Sequence, residues 1–392
     1  YIKTFFIKGS KRSSLAKKNI AYSFFIQSSS IVIGLLLVPL LLDYLNAEKY
    51  GIWLVLTSIV GWFTFFDAGL GNGLRNNLTA VLARGENKLA REYVSTTYAI
   101  LGVIFFVVLL IFYAVNPFLD WRIILNAEAV DANELSLLAL IVFTFFFLRF
   151  IFNLIGIILM ADQRPALNNA LALLGNLLSL VIIFILTYTT KGNLIIMGFV
   201  LSATPVAILL IASIVLFSGK YKHLKPELYN IRWEHSGTLF GLGVKFFTLQ
   251  ITALIIYSTS NIIIAQLLGA EQVTVYNIAF KYFQIPIMLF GIIMLPIWSA
   301  VTDAFVREDF VWLKATLSKL NKISLLFIIG IIFMLVLSPV VYDLWIGKRV
   351  HIPFMLSFAM TIYAAITVLI YPYSSYINGL GKLQIIYRLV II

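Results

Sequence analysis

The sequence predicts an all-α polytopic membrane protein, and three observations carry that reading. Hydrophobic residues make up 61% of the chain and charged residues only 12%, against about 45–50% and about 25% in a soluble domain. Water-facing side chains cannot cover such a chain. The apolar residues come in runs of roughly 20, the length a helix needs to cross a bilayer. Lipid obliges backbone groups to bond within their own segment, which selects helices; a transmembrane barrel would show short alternating segments instead. Lys and Arg, finally, fall on alternate sides of these runs with a strong bias.

Ten complete spans follow from the apolar runs, at about 19–42, 50–74, 94–115, 135–160, 167–189, 193–217, 237–267, 274–300, 321–342 and 353–378, with an eleventh starting near 382. The first is entered from the basic stretch KRSSLAKKN, and its apolar part is too long for the core of a signal peptide. It carries Ser23, Gln27, Ser28, Ser29 and Ser30. The second ends in WFTFFDAGLGNGLRNNL, where Asp67, three glycines (Gly69, Gly71, Gly73) and Arg75 interrupt the apolar pattern. The fourth, IVFTFFFLRFIFNLIGIIL, holds Arg149. The seventh holds Lys245 in FGLGVKFFTLQ, with Thr248, Gln250, Thr252, Ser258, Ser260 and Asn261 behind it. The eighth holds Lys281 in YNIAFKYFQIP. Pro39, Pro205, Pro286, Pro296 and Pro372 set bend points inside spans. The chain starts at Tyr1 and stops inside the apolar YRLVII, so it reads as a fragment ending within span 11 and lacking span 12.

With the N-terminus inside, 21 of the 29 Lys and Arg fall on the cytoplasmic side, 5 outside and three within spans. One missed helix would scramble that count, so the bias supports the span assignment. The formal charge of +12 is thereby assigned to cytoplasmic loops, and nucleic acid is not an expected partner. There is no cysteine, and His223, His235 and His351 lie far apart; neither a disulfide framework nor a metal site nor a cofactor is expected.

An internal repeat is visible. LNAEKYGIW at 45–53 and LGAEQVTVY at 268–276 are offset by 223 residues, and at that offset Gln27 falls on Gln250, Thr79 on Thr302 and Arg84 on Arg307. ILMADQRPAL after span 4 and YINGLGKLQI after span 10 form a second pair. Two copies of a six-helix unit in the same orientation follow, related by an axis along the membrane normal. The expected lobes are residues 1–217 and 237–392, joined by a cytoplasmic linker at 218–236.

Charges within spans cost about 2.5–3.5 kcal/mol each on insertion scales and so face a cavity or a partner. Arg149, Lys245 and Lys281 are all basic, and Asp67 is the single intramembrane acid. A cavity carrying excess Arg and Lys suits an anion such as a phosphate or pyrophosphate, which Arg grips bidentately. Gln27 and Gln250 are candidates to line the same cavity. The bland alternatives are an Arg149–Asp67 structural pair between spans 4 and 2, and snorkelling of Lys245 and Lys281 to the interface. Asp67 and Arg75 are eight residues apart, about 12 Å along a helix, so they do not pair with each other. Arg75 is placed at the cytoplasmic gate or headgroup level, and the glycines before it permit close helix approach.

Residues 66–100, FDAGLGNGLRNNLTAVLARGENKLAREYVSTTYAI, together with LLLDYLNAEKYGIWLVL and YINGLGKLQI, resemble the bacterial O-antigen and capsule flippases, Wzx-like polysaccharide transporters of the multidrug/oligosaccharidyl-lipid/polysaccharide (MOP) superfamily. The resemblance covers essentially the whole chain and is most specific over 40–100. It implies a MOP-type fold of two six-helix lobes around a cationic cavity. It also implies a flippase, not an enzyme, in the bacterial inner membrane. The substrate would be an undecaprenyl-pyrophosphate-linked oligosaccharide, and a polysaccharide polymerase and a chain-length regulator would be partners. The rivals are a multidrug exporter of the same superfamily, which would want cavity acids for ion coupling; the lipid II flippase, with two further spans; a polytopic polymerase; and a non-transporting scaffold. For a polymerase, the longest outside segment, NPFLDWRIILNAEAVDANE at 116–134, is too short for a catalytic domain.

Overall fold

The computed structural model describes residues 11–63, 70–128, 130–162, 164–237, 259–306 and 308–379. Every regular element among them is helical: α1 (Lys11–Tyr44), α2 (Ala47–Trp62), α3 (Leu70–Arg84), α4 (Asn87–Val115), the short α5 (Trp121–Leu125), α6 (Ala132–Phe152), α7 (Leu154–Ala161), α8 (Pro165–Thr189), α9 (Leu194–Ser218), α10 (Thr259–Leu268), α11 (Ala270–Val306), α12 (Phe310–Trp345) and α13 (Phe354–Gly379). Eight helices among the described residues are long and apolar enough to cross a membrane, and each falls on one of the expected spans. Span 2 is present as α2 and α3. Of span 7, only α10 lies within the described residues. The helix of α3 continues to Arg84, about two and a half turns beyond Arg75. Arg75 therefore stands within a helix that continues past the end of the apolar run.

Local sequence explains where the helices stop. Asn46 caps α2 by accepting the Lys49 amide at 2.8 Å. Gly85, at φ +74, ends α3; its amide donates to Leu82 O, and that of Glu86 reaches back to Val81 O, a Schellman arrangement that a left-handed glycine makes possible. Asp309 opens α12 by accepting the Trp312 amide at 2.9 Å. The 36 residues of α12 span about 54 Å against a hydrocarbon core of about 30 Å. Its first turns therefore extend beyond the apolar layer, and Lys314, Lys319 and Lys322 all lie there.

The chain divides into two compact units, Tyr1–Val273 and Thr274–Ile392. In the first, α1 packs along α8, α8 along α9, and α9 along α6, while α3 lies against α4 and α7. Gly175 of α8 brings the two backbones together: a methyl group there would stand 3.1 Å from Pro205 Cα of α9. Ser179 and Thr204, one turn away, hydrogen-bond across the same seam. Aromatic rings fill the space between α4 and α6. Phe112 stacks on Phe143 at 4.0 Å and Phe105 on Phe147 at 5.4 Å, and the Trp121 indole nearby donates to Asn116 at 2.8 Å. In the second unit, α12 and α13 pair. Tyr376 of α13 donates to Leu313 O at 3.0 Å, and Phe290 of α11 meets Phe327 and Tyr371 edge-on.

Candidate functional site

Arg149 lies on α6, and the phase of that helix defines its surroundings. Leu135, Leu138 and Val142 are buried, with Leu138 against Gly198 of α9. At 100° per residue, Arg149 falls within about 20° of Val142, and Asn153 about 20° on the other side. Arg149 and Asn153 are nevertheless both exposed. Arg149 thus continues the phase of a stripe that is buried as far as Val142, and is itself exposed. Among the described residues, Arg149 has no salt bridge and no side-chain hydrogen bond.

The stripe continues as a polar track. Helix α6 passes into α7 through a turn at Asn153, whose amide donates to Arg149 O at 2.8 Å. Gly156 follows. A methyl group there would collide with Asn168 Oδ1 of α8 and stand 3.3 Å from Asn153 Oδ1. The missing side chain leaves room for both amides, so Arg149, Asn153 and Asn168 run toward the end of span 4 that the Lys/Arg count assigns to the cytoplasm. Asn153 and Asn168 escaped the sequence reading. Their signal was available in the spacing, since Asn153 sits one turn after Arg149 on the same face.

The remaining candidates distribute as follows. Gln27 is half-buried on α1, beside the half-buried Ser28, Ser29 and Ser30, in the same unit as Arg149; among the described residues no hydrogen bond joins Gln27 to Arg149. Arg75 is exposed on α3. One turn further, Thr79 Oγ1 donates to Arg75 O at 2.7 Å and approaches Ala161 O of α7 at 3.4 Å. Lys281 is half-buried on α11 of the second unit. Asn277 and Gln284 share its face at helical spacing, and Gln284 Oε1 is buried without a hydrogen-bond partner among the described residues. Asp67, Lys245 and Gln250 lie outside the described residues, and with them the expected Arg149–Asp67 pair. Among the described residues, no group of His, Asp and Glu is placed to hold a metal ion.

Beyond the membrane end of α7, a charged cluster fixes the loop. Asp162 accepts from Tyr221 Oη at 2.6 Å, pairs with Arg164 at 3.0 Å, and is bonded by Lys220 Nζ. Burial works against the Asp162 carboxylate, but the hydrogen bonds from Lys220 and Tyr221 and the two positive charges outweigh it and hold its pKa below the usual value. Tyr221 is pushed up, first by burial and then by donating to that carboxylate.

Comparison with solved structures identifies the fold. The chain superposes on the inward-facing conformation of a multidrug resistance MATE family transporter of the MOP superfamily with a TM-score of 0.74, at 15% identity, over 91% of this chain and 82% of that one. The outward-facing conformation of a MATE transporter matches with a TM-score of 0.65, at 16% identity, over 96% and 85%. By fold, this is a multi-pass helical membrane protein that shares the architecture of those transporters.

Sequence narrows the class further. The chain belongs to the polysaccharide biosynthesis protein family, which it matches over residues 16–300. It is 22% identical to a putative O-antigen export protein of Yersinia pseudotuberculosis, over 91% of this chain and 81% of that protein. It is 24% identical to a putative O-antigen transporter of Salmonella typhi, over 93% and 83%. The resemblance read from residues 40–100 is borne out.

Proposed function

We propose that this protein is a polysaccharide transporter that flips an undecaprenyl-pyrophosphate-linked oligosaccharide repeat unit across the bacterial inner membrane. In this reading the N-terminus is cytoplasmic, and the lobes at 1–217 and 237–392 alternate access around a central site through the linker at 218–236. The observation that carries it is Arg149: a cation within an apolar span, in phase with the buried stripe of α6, with no acid on it among the described residues. A transporter of cations would want carboxylates there. A permanently charged fork of donors suits the phosphate oxygens of an anionic lipid carrier. Asn153 and Asn168 add neutral donors and acceptors of the kind that hydroxyl-rich sugars use. Lys281, Lys245, Gln27 and Gln250 are assigned to the same substrate, Asp67 to coupling or to structure, and Arg75 to the cytoplasmic gate. A polymerase and a chain-length regulator would act downstream on the exported unit.

The test is to delete the gene in its host and locate the lipid-linked repeat units. Complete units trapped on the cytoplasmic leaflet with loss of surface polysaccharide support the proposal. Unpolymerised units on the periplasmic leaflet would identify a polymerase defect instead. Unchanged polysaccharide with altered drug sensitivity would favour a multidrug exporter.

A further inference from the structure

The segment after α9, residues 219–237, is tied down along its length yet turns its largest apolar side chains outward. Tyr221 and Leu224 are buried anchors. Arg91 of α4 donates Nε to His223 O at 2.7 Å and pairs with Glu227 at 3.4 Å. The Glu227 amide donates to Ser95 Oγ at 3.1 Å, and the Arg232 amide to Thr96 Oγ1 at 2.9 Å. His235 Nε2 lies 3.2 Å from the Glu92 carboxylate, and its ring meets Tyr93 edge-on. Held at these points, the segment leaves Leu228 88%, Tyr229 84% and Trp233 58% exposed.

Depth and charge point to one occupant for that apolar group. The apolar run of α4 begins at about residue 94, so Ser95 and Thr96 stand within about 3 Å of its edge. Helix α9 reaches its last apolar residue at Phe217. The segment thus leaves the bilayer at its edge and is pinned back at the same level through Arg232. Among its charges, Lys220 is taken by Asp162, while Lys222, Lys225 and Arg232 face two acids of the segment, Glu227 and Glu234, and Glu227 is already paired with Arg91. Large apolar and aromatic side chains at headgroup depth, flanked by excess bases, match a lipid surface carrying negative charge.

We infer that residues 219–237 form an interfacial strap. Leu228, Tyr229 and Trp233 enter the headgroup–acyl boundary, and Lys222, Lys225 and Arg232 meet the phosphates of anionic phospholipids. The strap fixes the connection between the lobes to the leaflet on the basic side of the protein. The inference rests on membrane depth and charge and is independent of the substrate transported.

Because the chain has no cysteine, Leu228→Cys gives a single labelling site at a position whose exposure removes any packing penalty. The full chain would be labelled there with an environment-sensitive fluorophore and placed in nanodiscs of phosphatidylglycerol and phosphatidylethanolamine, with Glu86→Cys, about 15 Å further from the hydrocarbon, as the reference. Lipids spin-labelled high on the acyl chain are expected to quench the probe at 228 about threefold more than the reference. Aqueous iodide is expected to show the reverse order. Trp233→Cys should repeat the pattern, and replacing phosphatidylglycerol by phosphatidylcholine should weaken it about twofold. Equal iodide quenching at 228 and 86 would put the strap in water and overturn the inference. Quenching by neither agent would mean that protein covers these residues, and would overturn it equally. A pattern insensitive to lipid charge would remove the phosphate contacts.

Discussion

Replacing Arg149 by glutamine removes one cation from α6 and disturbs little else. The side chain is exposed, with no partner among the described residues, so stability should change by no more than about 0.5 kcal/mol. Any larger change should be a gain, because an isolated charge within a span is costly. Recognition should behave differently. A charge-assisted hydrogen bond to a phosphate oxygen is worth about 1.5–3 kcal/mol, or roughly 10- to 150-fold in binding at 1.4 kcal/mol per tenfold. Arg149→Lys keeps the charge but loses the planar fork and should fall between wild type and Arg149→Gln. The assay is complementation of the deleted host, scoring surface polysaccharide on gels alongside the amount of protein in the membrane fraction. Normal polysaccharide from Arg149→Gln at wild-type protein levels would refute the assignment. So would parallel losses of polysaccharide and protein, which would make Arg149 a folding residue.

Gly175→Ala places a methyl group 3.1 Å from Pro205 Cα, a backbone atom that cannot rotate away. The α8–α9 seam should loosen by about 1–3 kcal/mol, seen as a lowered thermal-unfolding midpoint in detergent. Gln284→Leu replaces a buried Oε1 that lacks a hydrogen bond among the described residues. It should leave stability unchanged or raise it by about 1 kcal/mol while lowering complementation; a neutral effect on both would make Gln284 a passive residue. Asp162 has its pKa held below the ordinary 3.8, so its cluster adds stability that is fully present above that value and is lost as pH falls through the lower folded-state pKa. Asp162→Asn should therefore lower stability near neutral pH by about 1 kcal/mol or less after solvent screening and flatten the acid limb of a stability–pH profile; an unchanged acid limb would show that the cluster contributes nothing. Tyr221→Phe, which loses the 2.6 Å bond to Asp162, should reproduce part of that loss.

Much of the architecture was legible in the residues because lipid allows few solutions. Once apolar runs of bilayer length are counted, the helix is the remaining way to satisfy the backbone, and the described spans fall where the runs were. The candidate site was half legible. Arg149 announced itself as a cation in a run of Phe, Ile and Leu, and residues 66–100 carried the family. Asn153 and Asn168 did not stand out, because an asparagine in a span is cheap enough to be ordinary. The gain of helix beyond Arg75 was also hidden, since LRNNLTAVLAR is polar and reads as the end of a span.

Composition, run length and the distribution of Lys and Arg determined by themselves that this is a multi-pass helical protein, because the free energy of placing a residue in lipid depends mainly on what that residue is. Only the tertiary structure decided which way each charge faces. Arg149 shares its stripe with Leu135, Leu138 and Val142, and the sequence treats all four alike as span residues. Leu138 lies against Gly198 of α9, Leu135 and Val142 are buried as well, and Arg149 is exposed. Likewise, Leu228, Tyr229 and Trp233 read as ordinary linker residues until the hydrogen bonds from the Glu227 and Arg232 amides to Ser95 and Thr96 fix the segment against α4 and leave them exposed. Burial and depth are properties of neighbours brought together by the fold, and no local stretch of chain encodes them.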